Sequence, residues 1–233
     1  MNDTLNPSLE ANFNTAMNLS DAKYDYEALM ELLASEEVVK KQIAILELDE
    51  IKTKNDAQIL VSNLVGQDGK IREAVAYKVN EFSQNPQYRE LFQGEFFYEI
   101  YLEAIMDING NVCRNIVSIA DIKGFTEYLC EKLPERINEI LEEIAEIDSQ
   151  TRQYVISKRN FQLYWSLEAL YNIIDTIDFE KIKNILFKTS EFYDYTIREK
   201  TAKIIAKLNY TEFEELKNKL KNDDNYYVRR YLD

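Results

Sequence analysis

Two acid pairs, Glu142–Glu143 and Asp223–Asp224, and two cysteines, Cys113 and Cys130, are the side chains best suited by type to chemistry. Adjacent carboxylates could share acid and base work or hold a divalent ion, and cysteines could ligate zinc. The rest of the chain denies them partners. It has no histidine, so the commonest general base and the usual complement of a two-cysteine zinc site are both missing. No phosphate-cradling glycine loop, dinucleotide fingerprint or nucleophile elbow occurs, and no loop carries the EF-hand ligand series. The acid pairs fall on solvated helix faces or in a turn, where their role is solubility. The cysteines read as reduced, partly buried thiols. Neither catalysis, a metal nor a cofactor is expected.

Aromatic residues offer a different chemistry, that of contact. The stretch "FQLYWSLEALYNII" carries more apolar residues than one helical stripe can bury. Phe161, Trp165 and Leu167 or Ala169 are expected to point inward. Tyr164 and Tyr171, seven residues apart, share a face and are expected to line a surface, with Tyr77 in an equivalent outward position. Tyr and Trp are rigid and amphipathic, which suits protein contact. The stretch "NYYVRRYLD" adds Tyr226, Tyr227 and Tyr231. That aromatic edge either docks, with a second copy of the chain as one candidate, or folds back on the helix before it. A longer parent chain is a third reading. Tyr77, Tyr164, Trp165, Tyr171, Tyr227 and Tyr231 are therefore the candidate protein-binding residues.

Composition sets the elements that must position these groups. With 233 residues but only five Gly and three Pro, the chain lacks the turn residues of a sandwich or barrel. Abundant Glu, Lys, Leu, Ile and Ala point to an all-α protein. A net charge of −14 repels phosphate backbones, which argues against nucleic acid or an anionic membrane as partner. No run of about 18 apolar residues occurs, and "MNDTLNPSLE" lacks the basic start and apolar run of a secretory leader. The expected location is cytoplasmic, which makes the glycosylation-type triplets at Asn2, Asn18 and Asn209 chance matches.

The elements repeat. In "DGKIREAVAYKV" a cap, Asp68, is followed by Ile71, Arg72, Val75 and Val79. In "DYTIREKTAKII" Asp194 is followed by Ile197, Arg198, Thr201 and Ile205. Asn109 leads to Val112, Ile116 and Ala120, with Cys113 in the basic place; Asn225 leads to Val228, Arg229 and Leu232. Ser35 or Glu36 leads to Val39, Lys40 and Ile43. The key apolar residues, Val39, Ile71, Val112, Ile197 and Val228, are 32, 41, 85 and 31 residues apart. The long interval leaves room for a degenerate copy at Phe161, Trp165 and Ala169. Apolar spacing of four and eight forms one helical stripe, and Asp or Asn before it accepts from free N–H groups. Another helix is expected before each: Tyr24–Ala34, Asp56–Val65, Glu95–Met106, Pro134–Ile147, Asp178–Phe187 and Thr211–Leu220. Pro134 suits a first turn and Gly66 a helix exit.

Helix pairs whose second helix opens with Asp-x-x-Val-Arg-like spacing resemble HEAT repeats. The resemblance implies an α-α superhelix, a right-handed solenoid of about six antiparallel pairs over residues 24–233. Residues 1–23 form a lead-in, with a short capping helix near Phe13–Leu19. Residues 121–158 are too long for one repeat, so an extra helix is expected there. The resemblance further implies a ladder in which Lys40, Arg72, Arg198 and Arg229 pair with acids of the adjacent repeat's turn. A phosphate-binding row is the other reading of these bases, disfavoured by the caps Asp68 and Asp194. Function follows as a non-enzymatic scaffold or adaptor that binds another protein through its second helices. The alternatives are a HEAT-like DNA-binding or DNA glycosylase-type protein, which fits poorly with one Trp and the acidic balance, and a bilin-lyase-like subunit.

Overall fold

The computed structural model describes residues 23–147, 153–208 and 211–232. The expected lead-in with its helix at Phe13–Leu19, and the triplets at Asn2, Asn18 and Asn209, lie outside them. The described residues are helical, with no strand, and none of their helices is long and apolar enough to cross a membrane. The chain divides into two compact units, Met1–Gln93 and Gly94–Asp233.

The first unit holds two helix pairs: α1 (Tyr26–Ala34) with α2 (Val38–Glu47), and α3 (Lys54–Ser62) with α4 (Gly69–Gln84). A short 3-10 turn, Arg89–Phe92, follows. The second unit holds four: α5 (Glu95–Ile105) with α6 (Gly110–Val117), α7 (Lys123–Glu146) with α8 (Gln153–Ile173), α9 (Phe179–Ser190) with α10 (Tyr195–Lys207), and α11 (Glu214–Lys221) with α12 (Tyr226–Arg229). Within each unit, first helices pack on first helices and second on second: α2 on α4, and α6, α8, α10 and α12 in a row. Each pair hides its apolar stripe against the next, which is how a solenoid acquires a core.

Local chemistry starts the second helices. Asp68, Asn109, Asp194 and Asn225 each accept from the N–H two residues on, at 2.8 to 2.9 Å. Behind the caps, Ile71, Val75 and Val79, then Val112, Ile116 and Ala120, then Ile197 and Ile205, and Val228 are buried. Thr201 fills its apolar place by donating to Ile197 O at 3.0 Å and lying 2.8 Å from Thr189 Oγ1. Gly66, at φ 69°, turns the chain between α3 and α4.

Two expectations are corrected. No extra helix occupies 121–146: α7 is one 24-residue helix, with Pro134 buried in its interior rather than in a first turn. Proline there leaves the carbonyl four residues earlier without its donor. That carbonyl belongs to Cys130, and Lys181 of α9 donates to it at 3.4 Å. The first repeat is also out of register by one. Glu37, not Ser35 or Glu36, precedes α2, so the place equivalent to Arg72 is Lys41 and Val39 is only half-buried.

Candidate functional site

The basic residues after the caps share one role. The Arg72 guanidinium donates to Gln67 O, Arg229 donates to Asp223 O, and Arg198 donates to Phe192 O at 2.8 Å and Tyr193 O at 3.1 Å. Each closes the loop entering its own helix. Cys113, in the same place, does this with its thiol, donating to Asp107 O at 3.1 Å. Burial, reinforced by the Asp107 charge, pushes that thiol up to about 12. It is a structural donor.

The step to a neighbouring repeat is made at Arg198. Its Nε and NH2 reach Asp223 Oδ2 and Oδ1 at 2.6 and 3.1 Å, a bidentate pair that spans two repeats. The Arg198 hydrogen bond holds the Asp223 carboxyl below its usual range, against the opposing effect of burial. In the first repeat the reach is made by Lys41, only 7% exposed, whose ammonium donates to Asn63 Oδ1 at 2.6 Å and Gln67 Oε1 at 3.2 Å. Lys40 pairs instead with Glu37 of its own turn. The expected ladder residue was the wrong lysine, because α2 starts later than its apolar pattern implies.

Along the seam of α8 and α10 the structure brings together residues the sequence left apart. Lys200 Nζ stands 4.3 Å from the Tyr164 ring centre and Lys203 Nζ 3.9 Å from that of Tyr171. Glu168 lies between, 2.6 Å from Lys200 and 2.8 Å from Lys203. Burial raises the Glu168 carboxyl, but the two ammonium groups outweigh it and hold the acid below its ordinary range. Tyr164 and Tyr171 do share a face, and that face is this seam; both are half-buried. Lys200, Lys203 and Lys207 at steps of three and four were the readable counterpart of Tyr164, Glu168 and Tyr171.

Phe161 and Trp165 do not enter the core; both are half-buried. The inward positions of α8 include Gln162, Leu163, Ser166 and Leu167. Gln162 is drawn in by Met106 O, to which it donates at 2.8 Å, and Asn172 donates to Val117 O at 3.0 Å. These bonds tie α8 to the C-terminal ends of both α5 and α6. Displaced outward, Phe161 and Trp165 line an open groove of about 450 Å³ with Ser157, Asn160, Tyr164, Asp194 and Thr196. The Phe161 and Tyr164 rings stand at 70° and 83° to the indole, centroids 6.3 and 5.5 Å away. Asn160 bonds the Tyr193 hydroxyl across the groove's rim.

The remaining aromatic candidates lie elsewhere. Tyr227, 49% exposed, sits 6.3 Å from Tyr195 with Arg230 over its ring. The Tyr231 hydroxyl is 3.3 Å from Glu199, which also pairs with Arg230 at 2.7 Å. Tyr77, 59% exposed, is on α4 of the first unit. Asn160 and Thr196 were missed by sequence reasoning, and Phe161 was expected inward, because a groove formed between α8 and the start of α10 leaves no local signal.

No protein-family model matches the chain. No curated protein matches it. Among solved structures the chain is similar to a designed armadillo repeat protein, at 15% identity and a TM-score of 0.50, over 89% of this chain and 97% of that one. At that identity the likeness is one of fold, and the fold is an all-α, HEAT/armadillo-like solenoid.

Proposed function

We propose that this repeat fold serves as a non-enzymatic scaffold that binds another protein through the second helices of the Gly94–Asp233 unit. The observation that carries the reading is the groove between α8 and the start of α10, where Phe161, Tyr164 and Trp165 remain partly accessible. Aromatic side chains already fixed by their neighbours lose little freedom on binding and contribute strongly to protein contacts. The titratable groups along the adjoining seam support a binding role over a chemical one, since Glu168, Lys200 and Lys203 are committed to each other.

A photo-crosslinker placed at exposed Ser157 is expected to capture a discrete protein, and Phe161→Ala with Tyr164→Ala to abolish the capture. The control position is Glu99, exposed on the first helix α5. Equal capture from Glu99, or capture indifferent to the groove substitutions, would refute the reading.

A further inference from the structure

We infer that the group seated in the α8 groove is a quaternary ammonium, carried on a trimethylated lysine side chain of the docking protein; this rests on the protein-binding reading above. The lining is three aromatic rings, three small polar side chains and one charge, that of Asp194. An anion would meet that carboxylate. A neutral apolar group would gain only the buried area. A cation gains from the quadrupoles of Phe161 and Trp165, the rings not already covered by Lys200, and from Asp194, within a chain whose net charge is −14.

The choice among cations follows from what the groove can accept. Asp194 Oδ1 already takes the Thr196 N–H and hydroxyl, at 2.9 and 2.8 Å, and Oδ2 has the Asn160 amide at 3.5 Å. Its charge acts through space, but few lone pairs are left. A primary ammonium brings three N–H donors and a guanidinium five, and burying them unmatched is costly. A quaternary ammonium brings none. Its charge is spread over methyl groups that pack on ring faces.

The same unit repeats the pairing of a cation with an aromatic ring. Lys203 covers Tyr171, Lys200 covers Tyr164, and Arg230 covers Tyr227. Phe161 and Trp165 present the aromatic half of that arrangement with no cation among the described residues. Lys200, one turn beyond Thr196, does not occupy the groove: it is drawn to Glu168 at 2.6 Å. Arg159, on the groove's helix, is held by Glu143. Neither contributes an unbalanced positive charge to the lining.

Trp165 is the chain's single tryptophan, so its emission reports on the groove directly. The whole chain would be titrated with peptides identical except at one position: trimethyllysine, lysine, or the neutral tert-butyl analogue with carbon in place of nitrogen. Free choline is the fourth arm. The trimethyllysine peptide is expected to give a saturable change, with the neutral analogue and plain lysine each weaker by about tenfold, the size of a partly desolvated cation–π interaction. Asp194→Asn, which keeps a capping amide like Asn109 and Asn225, should weaken trimethyllysine binding about fivefold with little effect on the neutral analogue. Phe161→Leu should weaken it as much while leaving the melting temperature near wild type.

Equal binding of the neutral analogue, equal binding of lysine, or no saturable response would each overturn the proposal. Choline binding as tightly as the peptide would overturn the assignment to a protein side chain. In any of these cases groove-dependent capture from Ser157 would still stand or fall by itself, so the two readings fail separately.

Discussion

Replacing Arg198 with Met tests whether the repeats are clamped as the structure indicates. The guanidinium makes two bonds to Asp223, at 2.6 and 3.1 Å, and two to loop carbonyls, at 2.8 and 3.1 Å. Both partners are mostly shielded, with side chains 19% and 10% exposed. Exposed ion pairs contribute about 0–1 kcal/mol, and breaking a buried one costs about 3–5. This pair lies between, and the freed carbonyls can rehydrate, so a loss of about 2–3 kcal/mol is expected. For a chain of this length that lowers the melting temperature by roughly 5–10 °C. Lysine at the position should recover less than half, because one point donor cannot serve four acceptors in a fork. The pH dependence gives a second readout. Asp223 is depressed in the folded state chiefly by Arg198. Its contribution is therefore present above the ordinary carboxylate pKa and lost as pH falls through the folded value, below about 4. Urea unfolding followed by helical circular dichroism should show wild type and Arg198→Met far apart at pH 7 and converging in acid. The double variant with Asp223→Asn should cost about 1 kcal/mol less than the sum of the single ones. A gap under about 0.5 kcal/mol at pH 7, the ordinary range of surface substitutions, would refute the clamp. So would a gap that persists unchanged in acid.

Three further outcomes follow from single contacts. A methyl group at Gly124 would lie 2.3 Å from Tyr98 Oη, and Tyr98 is buried with its ring stacked 5.6 Å from Phe125. Gly124→Ala, normally a gain of about 1 kcal/mol in a helix, should instead cost about 1–3, and a raised melting temperature would show that Tyr98 has room to move. Lys41→Ala should cost about 2 kcal/mol through its lost amide contacts and packing, while Lys40→Ala stays within about 0.5; comparable losses in thermal unfolding would restore Lys40 to the ladder. Pro134→Ala should stabilise by about 1–2 kcal/mol by returning a donor to Cys130 O, and Lys181→Met should then cost nearly nothing in that background. Additive effects of the two in denaturant unfolding would mean that Lys181 does not substitute for the missing N–H.

What the sequence made legible is what local chemistry decides. A cap such as Asp68 or Asp194 satisfies an N–H two residues away. The stripe behind it is set by the helical period, so both could be found without knowing any neighbour. The misreadings sit where a distant group overrules the local rule. Pro134 belongs in a first turn by local preference, yet an ammonium 51 residues from Cys130 supplies the donor that its interior place removes. Lys40 and Lys41 are adjacent and chemically alike. Only the start of α2 decides which one reaches Asn63 and Gln67, and that start is marked by Glu37, which makes no side-chain cap bond.

The groove shows the same logic with the polarity reversed. Hydrophobicity alone sends Phe161 and Trp165 inward and leaves Gln162 outside. The structure inverts this, because Met106 O needs a donor, Gln162 is placed on α8 to give one, and a buried carbonyl without a partner costs about 1–3 kcal/mol. Ser166, one turn on, follows it inward and bonds Gln162 O at 2.9 Å. With a polar pair occupying part of the stripe, a helix cannot also bury both large rings, and they emerge together on the neighbouring face. The exposed aromatic surface is thus a consequence of how α8 satisfies the end of α5. Replacing Gln162 with Leu would leave Met106 O unmatched and remove the reason for the rings to stand where a partner could meet them.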